Sequence, residues 1–375
     1  MTDLTSYLIQ ESEFRQSIMP QDVVKLCFQA AFGAEHALED LTQAQTYFLD
    51  EYKATPQDEK PLAEYIAPTV CRVNLSAWKR LKLNPDWLWN LFASAVPSGI
   101  KKNNKDFINY IIQADKLSRI GKFHFTYVQW QAYLNDYKNM AVASINDNRV
   151  NLDFDKTTEY DFSPVRHSAV YRDKEKPAYR VLSGIAAKAV LIIEAMAGLE
   201  NGIIAIDGRA ASGKSTMAAY LCDIISAKII AMDDFFLPSQ LRTTERLATP
   251  GGNIHHERFI QEVLPYLKNN KEFLYRRFDC NKMDFDSEPV RVPPSYWHII
   301  EGVYSFHPEL GKYMDIRVFL DIKQVEQESR INTRNNTKVA ADYFSKWIPM
   351  EEKYLKEYDI RESADVIIDA NILRR

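Results

Sequence analysis

The sequence is poor in glycine and cysteine, and its apolar runs are short. Only 12 of the 375 residues are glycine, less than half of the roughly 7% that is typical of globular proteins. The cysteines are far apart and form no Cys-x-x-Cys pair, which argues against a zinc ribbon or a thioredoxin-type redox site. They are Cys27, Cys71, Cys222 and Cys280. We expect them to be reduced, as in a cytoplasmic protein.

The sequence also lacks the marks of secreted, membrane and nucleic-acid-binding proteins. Its first residues show neither a basic segment nor an apolar core, so they do not resemble a secretory signal. The most apolar stretch, residues 184–206, is interrupted by Lys188, Glu194 and Glu200, which argues against a continuous membrane span. The 47 basic residues are outnumbered by 51 acidic ones, so there is no basic footprint for nucleic acid. We therefore expect a cytoplasmic protein without membrane or nucleic-acid partners, while homo-oligomerisation stays open.

The pattern of apolar residues predicts two domains, at residues 1–170 and 171–375. The spacing of apolar residues makes the first domain mainly helical, and the sequence does not indicate its role. Its predicted helices cover residues 22–38, 85–95, 105–118 and 125–140, and a short extended piece covers 70–75. A polar, irregular stretch at 146–177 is typical of a connection between domains.

In the second domain, short apolar strands alternate with helices. The predicted strands cover residues 203–206, 228–232, 297–301, 316–320 and 365–368, and the predicted helices cover 178–196, 213–225, 323–334 and 340–358. Such alternation is typical of an α/β fold, in which helices cover both faces of a parallel sheet. Ligands bind to such sheets at the carboxyl ends of the strands.

Half of the glycines lie between residues 202 and 302, and two of them belong to a phosphate-binding motif. Residues 208–215 fit the pattern G-x-x-x-x-G-K-[ST] between a predicted strand and a predicted helix. In such a loop, backbone N–H groups face phosphate oxygens at the N-terminus of a helix. Lys214 would neutralise the β- and γ-phosphates, and the Ser215 hydroxyl would bind Mg²⁺. The predicted ATP-binding residues are Gly208, Arg209, Ala210, Ala211, Ser212, Gly213, Lys214, Ser215 and Thr216.

Acidic residues end two other strands of the predicted sheet. Asp233 follows the strand at 228–232, and Glu301 ends the strand at 297–301, so both should lie beside the phosphate-binding loop. One carboxylate could accept the proton of an attacking hydroxyl group, and both could bind Mg²⁺ together with Ser215. Each could instead cap the helix or turn that follows, and we favour capping for the neighbouring Asp234.

Two arginines lie four residues apart on the helix predicted at 323–334. Arg330 and Arg334 should therefore share a face, from which they could close over the phosphates and stabilise the charge that develops during transfer. The alternative is a solvated helix face on which the arginines pair with Glu326 and Glu328. Because the phosphate-binding loop is present, we favour the first interpretation, in which the two arginines form a lid over the phosphates.

The ordered set of motifs resembles the uridine kinase family, which includes nicotinamide riboside kinase, over residues 202–369. The segments that carry the resemblance are 208–216, 232–238, 299–304, 329–335, 347–350 and 363–368. The resemblance implies ATP- and Mg²⁺-dependent transfer of a γ-phosphoryl group to a primary hydroxyl. It also implies that Asp233 is the catalytic base, that Glu301 lies near the metal, and that Arg330 and Arg334 are lid arginines.

Two segments depart from the pattern of family members that phosphorylate uridine or cytidine. Those members carry an aspartate that binds the ribose hydroxyls, and the nearest match here is Asn253. The histidine that follows their base-reading Tyr-Asp-Phe segment is missing from residues 278–283. An asparagine in place of an aspartate loses charge-assisted hydrogen bonds to a diol. We therefore expect a small-molecule kinase with a nucleoside-like acceptor, without assigning a pyrimidine nucleoside.

Several alternatives stay open from the sequence alone. The acceptor of the kinase could be a compound other than a nucleoside. The chain could instead be an ATP-binding regulatory module whose nucleotide state controls the N-terminal domain. Residues 1–170 could shape an acceptor pocket, bind a regulatory ligand or mediate self-association. His255 and His256, which follow Asn253, could contact the substrate or only satisfy carbonyl groups of their own loop.

Overall fold

The computed structural model of the protein divides into two compact units, Met1–Ala187 and Lys188–Arg375. The structure describes residues 4–33, 40–95, 104–143, 166–171, 178–279 and 282–372. Within these ranges, no helix combines the length and the apolar character that crossing a bilayer requires.

The first unit combines helices with a small antiparallel sheet. Its helices are α1 (Leu4–Phe14), α2 (Pro20–Phe32), α3 (Leu41–Ala54), α4 (Leu75–Arg80), α5 (Pro85–Ala95), α6 (Asn104–Arg119) and α7 (Tyr127–Ala143). Its strands are β1 (Ala63–Ala67), β2 (Val70–Asn74) and β3 (Tyr179–Ser183), in the order β1-β2-β3. The helix predicted at 22–38 ends at Phe32. Residues 34–39 and most of the predicted connection at 146–177 lie outside the described residues.

The first part of the helix predicted at 178–196 is wrong. Residues 179–183 form β3, which pairs antiparallel with β2 from Tyr179 opposite Asn74 to Ser183 opposite Val70. The chain then turns at Gly184, where a φ of +59° favours glycine. Only after this turn does the helix α8 (Gly184–Ala195) begin, and the division between the two units falls within it.

A buried arginine organises the polar interior of the first unit. Arg72 on β2 is 1% exposed, and its guanidinium donates to Gln29 Oε1 at 3.0 Å and to the Tyr171 hydroxyl at 2.9 Å. It also contacts Nε2 of His167 at 3.0 Å, while Nδ1 of that ring lies 3.1 Å from an Asp22 carboxylate oxygen. These partners offset the cost of removing the charge from water. The network therefore ties residues 166–171 to the helices and the sheet of this unit.

The second unit is built on a five-stranded parallel sheet in the spatial order β12-β11-β4-β10-β5. The strands of the whole second unit are β4 (Gly202–Gly208), β5 (Lys228–Ala231), β6 (Phe273–Tyr275), β7 (Phe278–Asp279), β8 (Asp284–Phe285), β9 (Val290–Val292), β10 (Trp297–Glu301), β11 (Ile316–Asp321) and β12 (Val366–Asp369). Strands β6 and β9 form one small antiparallel pair, and β7 and β8 form another.

Helices cover both faces of the parallel sheet. They are α9 (Lys214–Ile225), α10 (Thr244–Ala248), α11 (His256–Glu262), α12 (Leu264–Leu267), α13 (Gln324–Arg334), α14 (Thr337–Asp342) and α15 (Ile348–Glu357), with a π-helical turn at Tyr343–Trp347 before α15. Ile203 and Ala205 of β4 pack in one buried cluster with Phe259 of α11 and Tyr354 of α15. The alternate residues of β4 face the opposite side, where α9 packs against β4, β5 and β10.

This architecture confirms the predicted fold class. The sheet is parallel, it is flanked by helices, and the glycine-containing loop follows its central strand β4. The second unit therefore has an α/β fold in which a P-loop follows the central strand of a parallel sheet, and it is preceded by a mainly helical unit.

Candidate active site

The phosphate-binding loop joins the central strand β4 to α9. A Cβ atom at Gly208, where φ is +138°, would lie 2.5 Å from the carbonyl oxygen of Leu320, so this position requires glycine. Helix α9 begins at Lys214, and the first N–H groups of a helix have no acceptor within it. The loop therefore presents backbone donors to an anion at the positive end of a helix, as the motif predicts.

Contacts with two helices hold this loop in place. The Ala210 N–H donates to Oε2 of Glu351 on α15 at 2.9 Å, and Nε2 of Gln327 on α13 donates to the Ala210 carbonyl oxygen at 3.1 Å. The Arg209 guanidinium pairs with Glu352 on α15. Both backbone groups of Ala210, its N–H and its carbonyl oxygen, are therefore held by side chains of neighbouring helices. This limits the rearrangement that the loop needs when phosphate binds.

A cavity of about 460 Å³ lies at the carboxyl ends of β4, β5 and β10. The predicted site residues that line it are Ala210, Ala211, Gly213, Lys214, Ser215, Thr216, Asp233, Glu301 and Arg334. Gly208, Arg209, Ser212 and Arg330 are not among the lining residues. The parallel sheet therefore brings the phosphate-binding loop and both predicted carboxylates to one place.

Lys214 of the phosphate-binding loop lines the cavity. It is 9% exposed, and its Nζ donates to the carbonyl oxygens of Gly208 at 2.8 Å and Arg209 at 2.9 Å. Burial raises the pKa of both Asp233 and Glu301, and the positive charge of Lys214 opposes that increase. The ammonium group is thereby held at the loop, where phosphate oxygens would bind.

The Asp233 carboxylate is exposed to the cavity and accepts no hydrogen bond from the part of the chain that the structure describes. Although the side chain is in contact with the cavity, protein surrounds it, and this loss of bulk water raises its pKa. The charge of Lys214 opposes the increase, and the charge of Asp234 adds to it. The carboxylate therefore has no hydrogen-bond partner among the described residues, and the net effect of its surroundings is to raise its pKa.

Glu301 and Ser215 form the oxygen-rich part of the site together with Asp233. The Ser215 hydroxyl donates to Oε2 of Glu301 at 3.2 Å. Burial raises the pKa of Glu301, and the nearby charge of Asp233 raises it further. The described residues contain no cluster of three or more His, Cys, Asp or Glu side chains that could hold a metal, but Mg²⁺ in nucleotide sites needs only one or two carboxylates besides phosphate oxygens and water. These three residues fit such an ion, which would also offset the repulsion between the carboxylates.

The two arginines of α13 have different surroundings. The Arg334 guanidinium lines the cavity and donates to the Tyr343 hydroxyl at 3.3 Å. The Arg330 guanidinium instead pairs with Glu326 at 2.9 Å and donates to the carbonyl oxygen of Ala211, in the phosphate-binding loop, at 3.3 Å. The pairing with Glu326 that the sequence offered as an alternative thus occurs at Arg330, whereas the Arg334 guanidinium lines the cavity.

Asp234 and the two histidines support the loops around the cavity. Asp234 accepts a hydrogen bond from the Tyr275 hydroxyl at 2.7 Å, so it anchors β6 rather than capping a helix. His255 caps the N-terminus of α11. His256 is buried and stacks on His307, with ring centroids 4.0 Å apart. Neither His255 nor His256 is among the residues that line the cavity.

The cavity wall also contains side chains to which the sequence gave no role. They are Phe236, Arg242, Met283, Val303, Tyr304, Tyr343, Trp347 and Glu351. Of the segment at 278–283 that departs from the nucleoside kinases, Met283 lines the cavity, whereas Cys280 and Asn281 lie outside the described residues. Glu351 is 6% exposed, and burial raises its pKa to about 7 while Lys214 acts in the opposite direction. A signal for Glu351 exists in the sequence, because it lies one helical turn before the buried Tyr354 and Leu355.

Comparisons with known proteins find similarity at the level of structure. No protein-family model and no curated protein matches the chain. Among solved structures it is similar to a possible uridine kinase from Bacillus stearothermophilus, with 19% identity, 48% of this chain and 97% of that one covered, and a TM-score of 0.38. It is also similar to a provisionally named fructose transport system kinase from a Silicibacter species (22% identity, 49% and 98% covered, TM-score 0.40). A third similar structure is D-glycerate 3-kinase from Cryptococcus neoformans (13% identity, 50% and 96% covered, TM-score 0.37).

Proposed function

We propose that residues 188–375 transfer the γ-phosphoryl group of ATP to a hydroxyl group of a small molecule. The observation that carries this proposal is the position of the Asp233 carboxylate. It has no hydrogen-bond partner among the described residues, and it lines the same cavity as Lys214 and Ser215 of the phosphate-binding loop. Transfer to a hydroxyl group needs a carboxylate that can take its proton, whereas a regulatory site needs only the groups that bind the nucleotide and its metal ion.

Asp233 acts as the general base in this proposal. The hydroxyl oxygen of the acceptor attacks the γ-phosphorus of ATP, and the bond between that phosphorus and the β,γ-bridging oxygen breaks as the new O–P bond forms. The hydroxyl proton passes to Asp233, and ADP leaves. The raised pKa of Asp233 favours this transfer, because a carboxylate of higher pKa accepts a proton more readily.

Positive groups that line the same cavity stabilise the transferred group. Lys214 contacts the β- and γ-phosphates, and Arg334 extends from α13 to the phosphoryl oxygens. Arg330 acts as a positioning residue, since its guanidinium binds the carbonyl oxygen of Ala211 in the phosphate-binding loop. Its removal should therefore affect the loop rather than the transferred phosphoryl group directly.

Ser215, Glu301 and Asp233 are the residues that would hold Mg²⁺. When bound, Mg²⁺ neutralises charge on the β- and γ-phosphates and helps to fix their orientation. The Ser215 hydroxyl and the Glu301 carboxylate are already in hydrogen-bond contact. The uridine kinase resemblance suggests an acceptor that is nucleoside-like.

The test is ADP release by the purified full-length protein with ATP, Mg²⁺ and a panel of acceptors. The panel contains purine and pyrimidine nucleosides, nicotinamide riboside, pantothenate and simple sugars. The proposal predicts that ADP release depends on a hydroxyl compound and that the product carries the phosphoryl group, as detected by mass spectrometry. ATP binding without acceptor-dependent ADP release for any hydroxyl compound would contradict it.

A further inference from the structure

The segment that follows the proposed base, Asp233, forms part of the cavity wall and is held by backbone contacts. Phe236 forms an antiparallel bridge with Ile254, and the Leu237 N–H donates to the Asn253 carbonyl oxygen at 3.0 Å. Arg242 is tied to the same strip, because its Nε donates to the Leu237 carbonyl oxygen at 2.7 Å. The side chains of Arg242 and Asn253 therefore line the cavity from one firmly connected strip of chain.

Arg242 differs from the other arginines of this region in having no acidic partner. Between residues 240 and 280 the other four arginines all pair with carboxylates: Arg246 with Glu257, Arg258 and Arg276 with Glu262, and Arg277 with Asp234. In the described part of the chain, Arg242 pairs with no carboxylate, and the one hydrogen bond of its side chain uses Nε. Its two terminal nitrogens are thus left available at the cavity wall for an anionic ligand.

Asn253 offers a second recognition group on the same strip. Its side chain is 3% exposed, and its Oδ1 has no hydrogen-bond partner among the described residues. Its amide group interacts with the Tyr304 phenol, which also lines the cavity. A buried carbonyl oxygen without a donor is unfavourable, and a ligand N–H or O–H group would supply that donor.

The charges of the cavity separate into two groups. Lys214 belongs to the phosphate-binding loop, and Arg334 lies on α13, so both are assigned to ATP in the proposed function. Arg242 is the third cationic side chain of the wall, and it follows Asp233 on the segment that pairs with Asn253. A single guanidinium matches one carboxylate in charge and in two-point geometry. A phosphate dianion would leave a second negative charge in a cavity that already holds acidic side chains.

We propose that the phosphoryl acceptor is a hydroxy acid whose carboxylate binds Arg242 and whose N–H or O–H group donates to Oδ1 of Asn253. This inference rests on the proposed kinase function, and it replaces the nucleoside-like acceptor that the resemblance suggests with a different substrate class. The acceptor hydroxyl then points to Asp233, and the apolar side chains of Phe236, Met283 and Trp347 surround its carbon skeleton.

Matched pairs of acceptors test the assignment. Each pair contains an acid and a neutral analogue: pantothenate and panthenol, glycerate and glycerol, and gluconate and sorbitol, with uridine and nicotinamide riboside as further neutral compounds. Loss of one charge-assisted contact corresponds to a factor of roughly 10 to 100 in affinity. We therefore expect at least one acid to show a kcat/KM about 10–100-fold above that of its neutral partner.

Variants of the two recognition residues provide the second arm. Arg242→Met should raise the KM of the acid roughly 10–100-fold, leave the KM of ATP unchanged, and be partly rescued by Arg242→Lys. Asn253→Asp should also weaken the binding of the acid, because it adds a negative charge beside the carboxylate of the substrate. Arg291→Met is the matched control, since Arg291 is 71% exposed, pairs with Glu272 and lies outside the cavity.

A binding measurement separates this inference from the proposed function. The acids and their neutral analogues are tested for a shift of Tm in the presence of a non-hydrolysable ATP analogue. Binding of an acid that requires Arg242, without any turnover, would support an acid-binding site at Arg242 but contradict the kinase function, and with it the role of the acid as a phosphoryl acceptor. If neutral acceptors are turned over and Arg242→Met does not change their turnover, the hydroxy-acid assignment is contradicted, but the kinase function is supported. If no acid binds and none is turned over, the assignment is wrong.

Discussion

Replacing Glu351 by glutamine should stabilise the protein by an amount that grows as the pH rises from about 4.5 to about 7. The carboxylate of Glu351 is 6% exposed and accepts a hydrogen bond from the Ala210 N–H. Burial raises its pKa from 4.5 to about 7, against the attraction of Lys214, and the charges of Asp207 and Asp233 add to the increase. Glutamine has nearly the same shape and can accept the same hydrogen bond, but it carries no charge at any pH.

The size of the effect follows from the two pKa values. The folded protein binds the proton of Glu351 more tightly than the unfolded chain does, so this group favours folding at low pH. That contribution is lost as the pH rises from about 4.5 to about 7. One pKa unit corresponds to about 1.4 kcal/mol. The ionised side chain therefore lowers the free energy of unfolding by about 3 kcal/mol above pH 7, and Glu351→Gln should recover most of it.

Thermal unfolding at pH 5 and pH 8 measures this difference. For a unit of this size, 1 kcal/mol corresponds to roughly 2–4 °C in Tm. Glu351→Gln should therefore raise the Tm by about 6–12 °C at pH 8 and change it little at pH 5. The matched control is Glu357→Gln, on the exposed face of the same helix, which should leave the Tm unchanged at both pH values. A lower Tm for Glu351→Gln at pH 8, or the same change at both pH values, would refute the reasoning.

Three further predictions concern the phosphate-binding loop and its neighbours. Lys214→Ala should lower kcat about 100-fold or more, since it removes a charge from the phosphoryl oxygens, and an unchanged rate of ADP release would contradict its role. Arg334→Ala should lower kcat with an unchanged Tm, whereas Arg330→Ala should lower the Tm and raise the KM of ATP because it releases the loop; equal effects of the two variants would contradict their separate roles. Gly208→Ala should destabilise the fold by about 2 kcal/mol or more, because its Cβ would lie 2.5 Å from the Leu320 carbonyl oxygen, and urea unfolding that matches the wild type would show this estimate to be wrong.

The parts of the fold that the sequence predicts well depend on local signals. Strand β10 has the predicted bounds, and β4, β5, β11 and β12 match within one or two residues, because short buried runs of β-branched residues are typical of parallel strands. The phosphate-binding loop is equally local, since its glycine and lysine spacing depends only on neighbouring residues. Asp233 and Glu301 then follow from the rule that strand ends meet at one edge of a parallel sheet.

Features that depend on distant pairing could not be read from the sequence. Residues 179–183 are predicted as helix because they adjoin a helical run, but pairing with β2 makes them a strand. Arg242 and Asn253 lie eleven positions apart, and backbone contacts such as those of Leu237 with Asn253 and of Phe236 with Ile254 bring their segments to one wall. The different roles of Arg330 and Arg334 likewise depend on which partners surround each guanidinium, although helical spacing places both on one face.

The direct test of the central claim is turnover of Asp233→Asn compared with Asp223→Asn. Asp223 is exposed on α9 and lies outside the cavity, so its variant controls for the loss of a carboxylate. With the acceptor that gives the fastest ADP release, Asp233→Asn should lower kcat roughly 10²–10⁴-fold, with little change in the binding of ATP, and Asp223→Asn should match the wild type. Wild-type turnover by Asp233→Asn would contradict the assignment of Asp233 as the base, and with it the mechanism proposed for this cavity.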